Sequence, residues 1–312
     1  MTARRVGITG IGVVAPGGIG LKNFWSLLTS GRTATRGITF FDPAPYRSRV
    51  AAEADFDPED YGLGPQEVRR MDRAAQFAVT AAREAIADSG IGLSGLLPER
   101  VGVTVGSAVG ATMSLDQEYR VVSDGGRLDL VDHEYAVRHL YNHYVPSSFA
   151  AEIAWLAGAE GPVSVTSTGC TSGLDSVGFA AELIRENTAD VMIAGATDAP
   201  ISPITMACFD AIRATTPRNE EPETASRPFD ATRDGFVLGE GAAIFVLEEL
   251  DSAARRGARV YGGRPGRGGV GDQRLEQHAG VGDLVSSHRQ SDGGLRERGQ
   301  LRRRVSRWRG DL

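Results

Sequence analysis

The chain has 312 residues, 41% of them hydrophobic, 24% charged and 7% aromatic. That composition is globular and leaves material for one large domain or two medium ones. No run approaches the roughly 18 apolar residues of a membrane span, and residues 1–8 reach Gly7 too soon for a secretory leader. Two cysteines, Cys170 and Cys208, exclude a disulfide scaffold and cannot alone build a structural zinc site, so a reducing cytoplasm is the expected compartment. The net charge of −6 is uneven: residues 262–312 hold eleven Arg against six acids, and the preceding body is strongly acidic. An acidic body argues against nucleic acid as a partner.

In chain order, residues 6–14 form a β-branched run ended by Pro16, Gly17 and Gly18. Phe24, Trp25, Leu27 and Leu28 then predict a short amphipathic helix. Residues 66–87 carry the longest helical pattern, with Met71, Ala74, Ala75, Ala78, Ala81, Ala82 and Ala85 recurring at three and four, and Ser89-Gly90 ends it. Residues 101–105 and 163–166 predict strands, the second leading to Gly169-Cys170 and a helix over about 171–186. Residues 190–195 predict a buried strand. Residues 235–238 and 242–247 predict a pair of strands broken by Gly239, Glu240 and Gly241. Strand–helix alternation of this kind predicts a layered α/β fold.

Several candidate sites stand beside simpler readings. Residues 10–15 (GIGVVA) match a loose dinucleotide fingerprint, but a loop follows where a helix should open, so tight packing is the better reading. His139 and His143 are spaced i, i+4, with Asp132, His133 and Glu134 nearby; surface or interface histidines explain them better than a metal site. Cys208 has apolar neighbours and no glycine turn, which predicts a small buried hydrophobe.

Cys170 differs. A sharp turn between strand and helix lifts a side chain out of the sheet layer, as in a nucleophile elbow. The positive end of the helix dipole favours a thiolate there, and backbone N–H groups at the turn can hold a developing oxyanion. The residues alone leave two readings open, a nucleophile and structural packing.

Residues 165–178 (VTSTGCTSGLDSVG) resemble the active-site segment of β-ketoacyl synthases, most closely the KSα subunit of type II aromatic polyketide synthases. Residues 6–18 (VGITGIGVVAPGG), 31–43 (GRTATRGITFFDP), 70–75 (RMDRAA), 208–218 (CFDAIRATTPR), 225–230 (ASRPFD) and 233–241 (RDGFVLGEG) are similar to that pattern in the same order. The resemblance covers residues 1–261. It implies a thiolase-like αβαβα layered fold, of which this region is the N-terminal half, and decarboxylative Claisen condensation on acyl carrier protein. Cys170 matches the family nucleophile and would carry the acyl chain as a thioester. Gly106, Ser107 and Phe209 are implied substrate-pocket residues. The implied partners are acyl carrier protein and a KSβ chain-length factor, as a heterodimer. No resident cofactor or metal is implied, since phosphopantetheine arrives on the carrier, and neither nucleic acid nor membrane is an expected partner. KSβ subunits carry glutamine at the Cys170 position, so this cysteine favours KSα; fatty-acid synthases of the same fold and a non-catalytic interaction subunit are the alternatives.

The family pattern continues with a His-Gly-(Thr/Ser)-Gly-Thr motif, a lysine and a Gly-His motif. Neither His278 nor His288 has the matching context, and Lys22 is the sole lysine. Residues 262–312 hold twelve Gly and no Ile, Phe, Tyr or Met. Such a composition predicts a disordered tail. It fits out-of-frame translation beyond Val260-Tyr261 better than an Arg-rich tail for nucleic acid or membrane. The expectation is a poorly stable chain without condensing turnover.

Overall fold

The computed structural model describes residues 4–128 and 133–264. Its strands are β1 (Val6–Ala15), β2 (Gly18–Ile19), β3 (Arg36–Gly37), β4 (Val50–Ala52), β5 (Val101–Gly106), β6 (Val163–Thr166), β7 (Val191–Asp198), β8 (Leu238–Gly239), β9 (Gly241–Glu249) and β10 (Gly262–Arg264). Its α-helices are α1 (Leu21–Thr29), α2 (Pro65–Arg70), α3 (Arg73–Ser89), α4 (Thr112–Val122), α5 (Leu140–Tyr144), α6 (Ser147–Ala157), α7 (Ser172–Arg185), α8 (Pro203–Ala211), α9 (Pro222–Ala225) and α10 (Leu250–Arg255).

The main sheet runs β10-β1-β9-β7-β5-β6, with β2 a hairpin off β1. It is mixed: β5 lies parallel to β6 and β7, while β9 is antiparallel to β7 and β1. Helices cover both faces. Val191, Ile193, Ile244 and Val246 pack towards α3 and α6, while Met192, Ala194 and Leu247 pack towards Ala180 and Ile184 of α7. Strand β5 has neighbours on both edges and helices on both faces, and all six of its residues are buried. That is why it reads as an unbroken β-branched and glycine run. The described residues thus form an α-β-α sandwich, three of the five layers that the resemblance implies. A second, three-stranded sheet, β3-β4-β8, sits apart with Ile38, Ala51, Ile201, Met206 and Leu238.

The expected helix over 66–87 is two helices. Met71, in extended backbone, ends the first, Asp72 caps the second by accepting from the Ala74 N–H at 2.8 Å, and Gly90 closes α3 at a φ of +61°. The expected strand pair 235–238 and 242–247 also divides: β8 joins the small sheet through β4, and β9 joins the main one. Gly241, at a φ of +152°, turns the chain between them where a Cβ would meet the Val14 carbonyl oxygen at 2.5 Å. Beyond 261 the chain continues into β10, which pairs antiparallel with β1 through Ile8↔Gly262. The expectation of a disordered tail falls, from residue 265 onward, outside the described residues. Among the described residues no helix is long and apolar enough to cross a membrane.

One edge of this sandwich is pinned by charge. The guanidinium of Arg100 grips Asp190 side-on at 2.8 and 3.0 Å, and Arg4 adds a contact at 2.7 Å. Hydrogen bonds from Arg100 and then Arg4 pull the Asp190 carboxyl down to about 2, against its partial burial. A depressed carboxyl stabilises the fold above its ordinary value of 3.8 and loses that contribution as pH falls through about 2. With the side chain 40% exposed, Asp190→Asn is expected to cost only about 1 kcal/mol at pH 7. Urea midpoints of the two proteins should converge between pH 5 and 2; a constant gap would contradict the assignment.

Candidate active site

Cys170 stands at the C-terminal end of β6, one residue beyond Gly169 and just before α7, and its side chain is exposed. The turn predicted from the sequence is present. Gly169 takes a φ of +71°, a backbone conformation that glycine adopts without strain. Thr171 is the N-cap residue, but its side chain caps no N–H. The turn is held from within instead. Ser172 Oγ accepts from the Thr168 N–H at 3.0 Å and donates to the Gly169 carbonyl at 2.5 Å. Asp175, in the first turn of α7, accepts from the hydroxyls of Thr168 and Thr171. A carboxylate there is also favoured by the helix N-terminus.

The neighbouring strand end is built against this turn. A Cβ on Gly106 would lie 2.4 Å from both the carbonyl carbon and oxygen of Ser172, so β5 touches the first turn of α7 through a bare backbone. The Ser107 N–H donates to the Thr166 carbonyl at 3.1 Å, and its own carbonyl lies 3.3 Å from Ser172 Oγ. Below the turn, Ser176 Oγ donates to the Thr104 carbonyl at 2.8 Å. Two of the three pocket residues expected from the sequence, Gly106 and Ser107, therefore adjoin the Cys170 turn. Phe209 does not share that network. It packs with Ile201 and Met206 and meets Phe236 edge-on at 5.2 Å.

Asp198, at the end of β7, was not singled out by the sequence. Its Oδ1 accepts from Ser107 Oγ at 2.8 Å and from the Val109 N–H at 3.1 Å, and its Oδ2 accepts from the Ala108 N–H at 2.9 Å. Burial pushes this carboxyl up, with the three donors pulling against it and the nearby Asp72 adding to the rise. The sequence signal for it was weak: the expected strand stopped at Gly195, three residues short.

Cys208 corrects an expectation. It is exposed, not buried. Helix α8 is apolar on two faces: Met206 and Phe209 turn inward, while Ile204, Cys208 and Ile212, four residues apart, face out. The histidine pair also differs from its pattern. His139 precedes α5 and is exposed, whereas His143 is buried with neither ring nitrogen hydrogen-bonded. Among the described residues no cluster of His, Cys, Asp and Glu could hold a metal ion; Asp132 lies outside them. A surface cleft of about 370 Å³ lies by Gly17, Ser26, Leu27, Arg32 and Tyr61, and no residue of the Cys170 turn lines it.

Residues 3–253 match the family model described as the N-terminal domain of β-ketoacyl synthase. The chain belongs to the β-ketoacyl synthase family. A protein of Streptomyces virginiae named as polyketide β-ketoacyl synthase 1 is 73% identical over 261 residues, which are 84% of this chain and 62% of that protein. The ketoacyl synthase alpha subunit of the tetracenomycin polyketide synthase of Streptomyces glaucescens is 62% identical over 258 residues, 83% of this chain and 61% of that subunit. The 3-oxoacyl-[acyl-carrier-protein] synthase 2 of Coxiella burnetii is 38% identical over 277 residues, 87% of this chain and 64% of that enzyme. Among solved structures, a type II polyketide ketosynthase in complex with its acyl-carrier protein superposes with a TM-score of 0.75 at 32% identity, over 84% of this chain and 62% of that one. The ishigamide ketosynthase/chain length factor gives 0.73 at 31%, over 85% and 63%. The fold is thus thiolase-like, and the two polyketide synthase proteins above are more similar in sequence to this chain than the Coxiella enzyme is. The chain spans about 62% of the length of the S. virginiae relative.

Proposed function

We propose that this chain is the nucleophile-bearing part of a KSα-type β-ketoacyl synthase of type II polyketide assembly. The observation that carries the reading is the exposed Cys170 on a strand–turn–helix elbow, with the end of β5 packed against the first turn of the helix. In the proposed loading step the Cys170 thiolate attacks the carbonyl carbon of an acyl thioester delivered on acyl carrier protein. A new S–C bond forms, the bond to the phosphopantetheine sulfur breaks, and that sulfur leaves as a thiol with the proton. In a full-length synthase malonyl carrier protein would then lose CO₂, and its carbanion would attack the acyl carbon on the cysteine, freeing the thiolate. The covalent step divides one hard condensation into two easier ones.

The higher identity to the named polyketide synthases than to the Coxiella 3-oxoacyl-[acyl-carrier-protein] synthase 2 favours the polyketide reading. Acyl carrier protein and a chain-length-factor subunit are the proposed partners, by analogy with the two superposed structures. Among the described residues β6 is a terminal strand of the main sheet with no partner on its outer side, and the exposed Val163 on it supports pairing with a second subunit. Phosphopantetheine enters on the carrier and no resident cofactor is assigned. A cytoplasmic location suits a free thiol nucleophile.

Loading of Cys170 is the step assigned to this region. The three histidines among the described residues, His133, His139 and His143, lie between α4 and α6 and share no hydrogen bond with the Cys170 turn. Intact mass after incubation with an acyl carrier-protein thioester should show a single acyl adduct. Cys170→Ala should remove it, lowering loading by about a thousandfold or more, and should leave Cys208 unmodified. An adduct that persists in Cys170→Ala, or none in the unaltered chain while subunit pairing is retained, would favour the interaction-subunit reading.

A further inference from the structure

We propose that Asp198 is a positioning residue for the Cys170 turn, acting through Ser107 and the loop that follows β5. Its carboxylate takes donors from three consecutive residues, Ser107 Oγ, the Ala108 N–H and the Val109 N–H. Ser107 Oγ in turn accepts from the Gly110 N–H at 3.0 Å, so one side chain from β7 fixes the whole loop. The loop then meets the nucleophile turn on both sides. Before Cys170, the Ser107 N–H holds the Thr166 carbonyl. After Cys170, the Ser107 carbonyl faces Ser172 Oγ, whose single proton is shared with the Gly169 carbonyl. Gly106 leaves no slack between them, since even a methyl group would overlap the Ser172 backbone.

Two of these donors are main-chain N–H groups, and an amide in place of the carboxylate cannot accept from both sides. The Ala108 N–H lies between the two oxygens, 2.9 Å from Oδ2 and 3.1 Å from Oδ1, so in Asp198→Asn the side-chain NH₂ faces that donor in either orientation, and the Ser107 and Val109 donors as well in one of them, and the loop must shift. Buried N–H groups left unpaired make the original geometry unfavourable. A shift of this loop moves Gly106 and Ser107 against Ser172, and with them the sulfur. Displacements of about 1 Å at a reacting atom lower rates by roughly a hundredfold. Asp198 itself touches no reacting group.

The consequence for acyl transfer rests on the condensing function proposed above; the consequence for the thiol does not. The chain carries its own reference, because Cys170 and Cys208 are both exposed and sit on different elements. Iodoacetamide alkylation of the intact chain, followed by peptide mass spectrometry, gives the ratio of the two rates in one molecule. Asp198→Asn should lower the Cys170:Cys208 ratio by about fivefold, because the turn that presents the sulfur shifts with the loop. Ser107→Ala should lower it by about threefold, and the double variant should match Asp198→Asn alone, since both act through one path. With octanoyl-N-acetylcysteamine as acyl donor, the maximal loading rate should fall about tenfold or more, with the half-saturating concentration within about twofold. A folded Asp198→Asn with an unchanged ratio overturns the proposal, as do additive effects in the double variant. If Asp198→Asn does not fold, an unchanged ratio in Ser107→Ala overturns it. If the unaltered chain takes no acyl group, the condensing reading fails and the alkylation ratio still decides the role of Asp198.

Discussion

Replacing Gly12 by alanine should destabilise the chain by about 3–4 kcal/mol, near the upper end for a single methyl group. An alanine Cβ at this position would lie 1.9 Å from the Ala81 carbonyl oxygen and 2.8 Å from the Ala85 nitrogen. Both are helix backbone, which has no rotamer with which to retreat. Gly10, two residues earlier on the same face of β1, is as tight, with Ala85 oxygen 2.1 Å from its Cβ position. A register shift between Ile8 and Gly10 turns this half of the strand towards α3, while Ile8 faces the α7 side. The partner stripe on the helix is Ala74, Ala78, Ala81, Ala82 and Ala85, all buried. Small residues on both elements let β1 and α3 approach backbone to backbone, which gains dispersion over many atoms. Gly178 provides the contrast. It lies on the exposed side of α7 with nothing within 4 Å of its Cβ position, so Gly178→Ala should stabilise by about 0.5–1 kcal/mol. Urea denaturation of the two variants checks both signs. Addition of NAD should leave the unfolding midpoint of the unaltered chain in place; protection would revive the dinucleotide reading of residues 10–15.

The same stretch shows how far the sequence alone carried. Whether Gly10 and Gly12 served a phosphate or a helix could not be read locally, because the deciding atoms belong to Ala81 and Ala85, some 70 residues away. The Cys170 elbow was legible because its determinants are local: a β-branched strand, a glycine able to take positive φ, and a helix start, all within 163–172. The partner of that elbow was not. Asp198 reaches Ser107 across 91 positions, and nothing in 190–198 distinguishes a carboxylate that ends a strand in solvent from one that organises a loop. Cys208 was misread for a different reason. Apolar neighbours suggest burial, but α8 carries apolar residues on two faces and the neighbours do not say which one the chain covers. The paired-strand reading of 235–247 failed at Glu240, where a buried ion pair across the fold outweighs the short-range tendency of two β-prone runs to form a hairpin.

That ion pair carries the second large effect. Glu240 has a fully buried side chain, and Arg73 approaches it side-on, Nη2 to Oε1 at 2.8 Å and Nε to Oε2 at 3.0 Å. Glu240 Oε1 also accepts from the Ala54 N–H at 2.9 Å, and Arg73 Nη2 donates to the Ala54 carbonyl at 2.8 Å. The guanidinium lies 4.7 Å from the ring centre of Phe77, with Phe40 and Phe56 at 5.2 and 5.8 Å. Three segments thus meet at one charge pair: the start of α3, the chain after β4 and the junction of β8 with β9. Glu240→Ala leaves a largely buried guanidinium and the Ala54 N–H without their acceptor, and should cost about 3–5 kcal/mol. Arg73→Met fills the aromatic cage with a flexible apolar chain but strands the carboxylate, and should cost nearly as much. Arg73→Met with Glu240→Gln removes both charges together and keeps an acceptor for Ala54. A pair whose worth lies mainly in avoiding an isolated charge predicts that this double variant loses only about 1–2 kcal/mol, less than either charge-stranding single variant. Additive losses in the urea midpoints would instead mean that Arg73 and Glu240 act independently, and that the aromatic contacts of Arg73, not its partner, hold the small sheet to the main one.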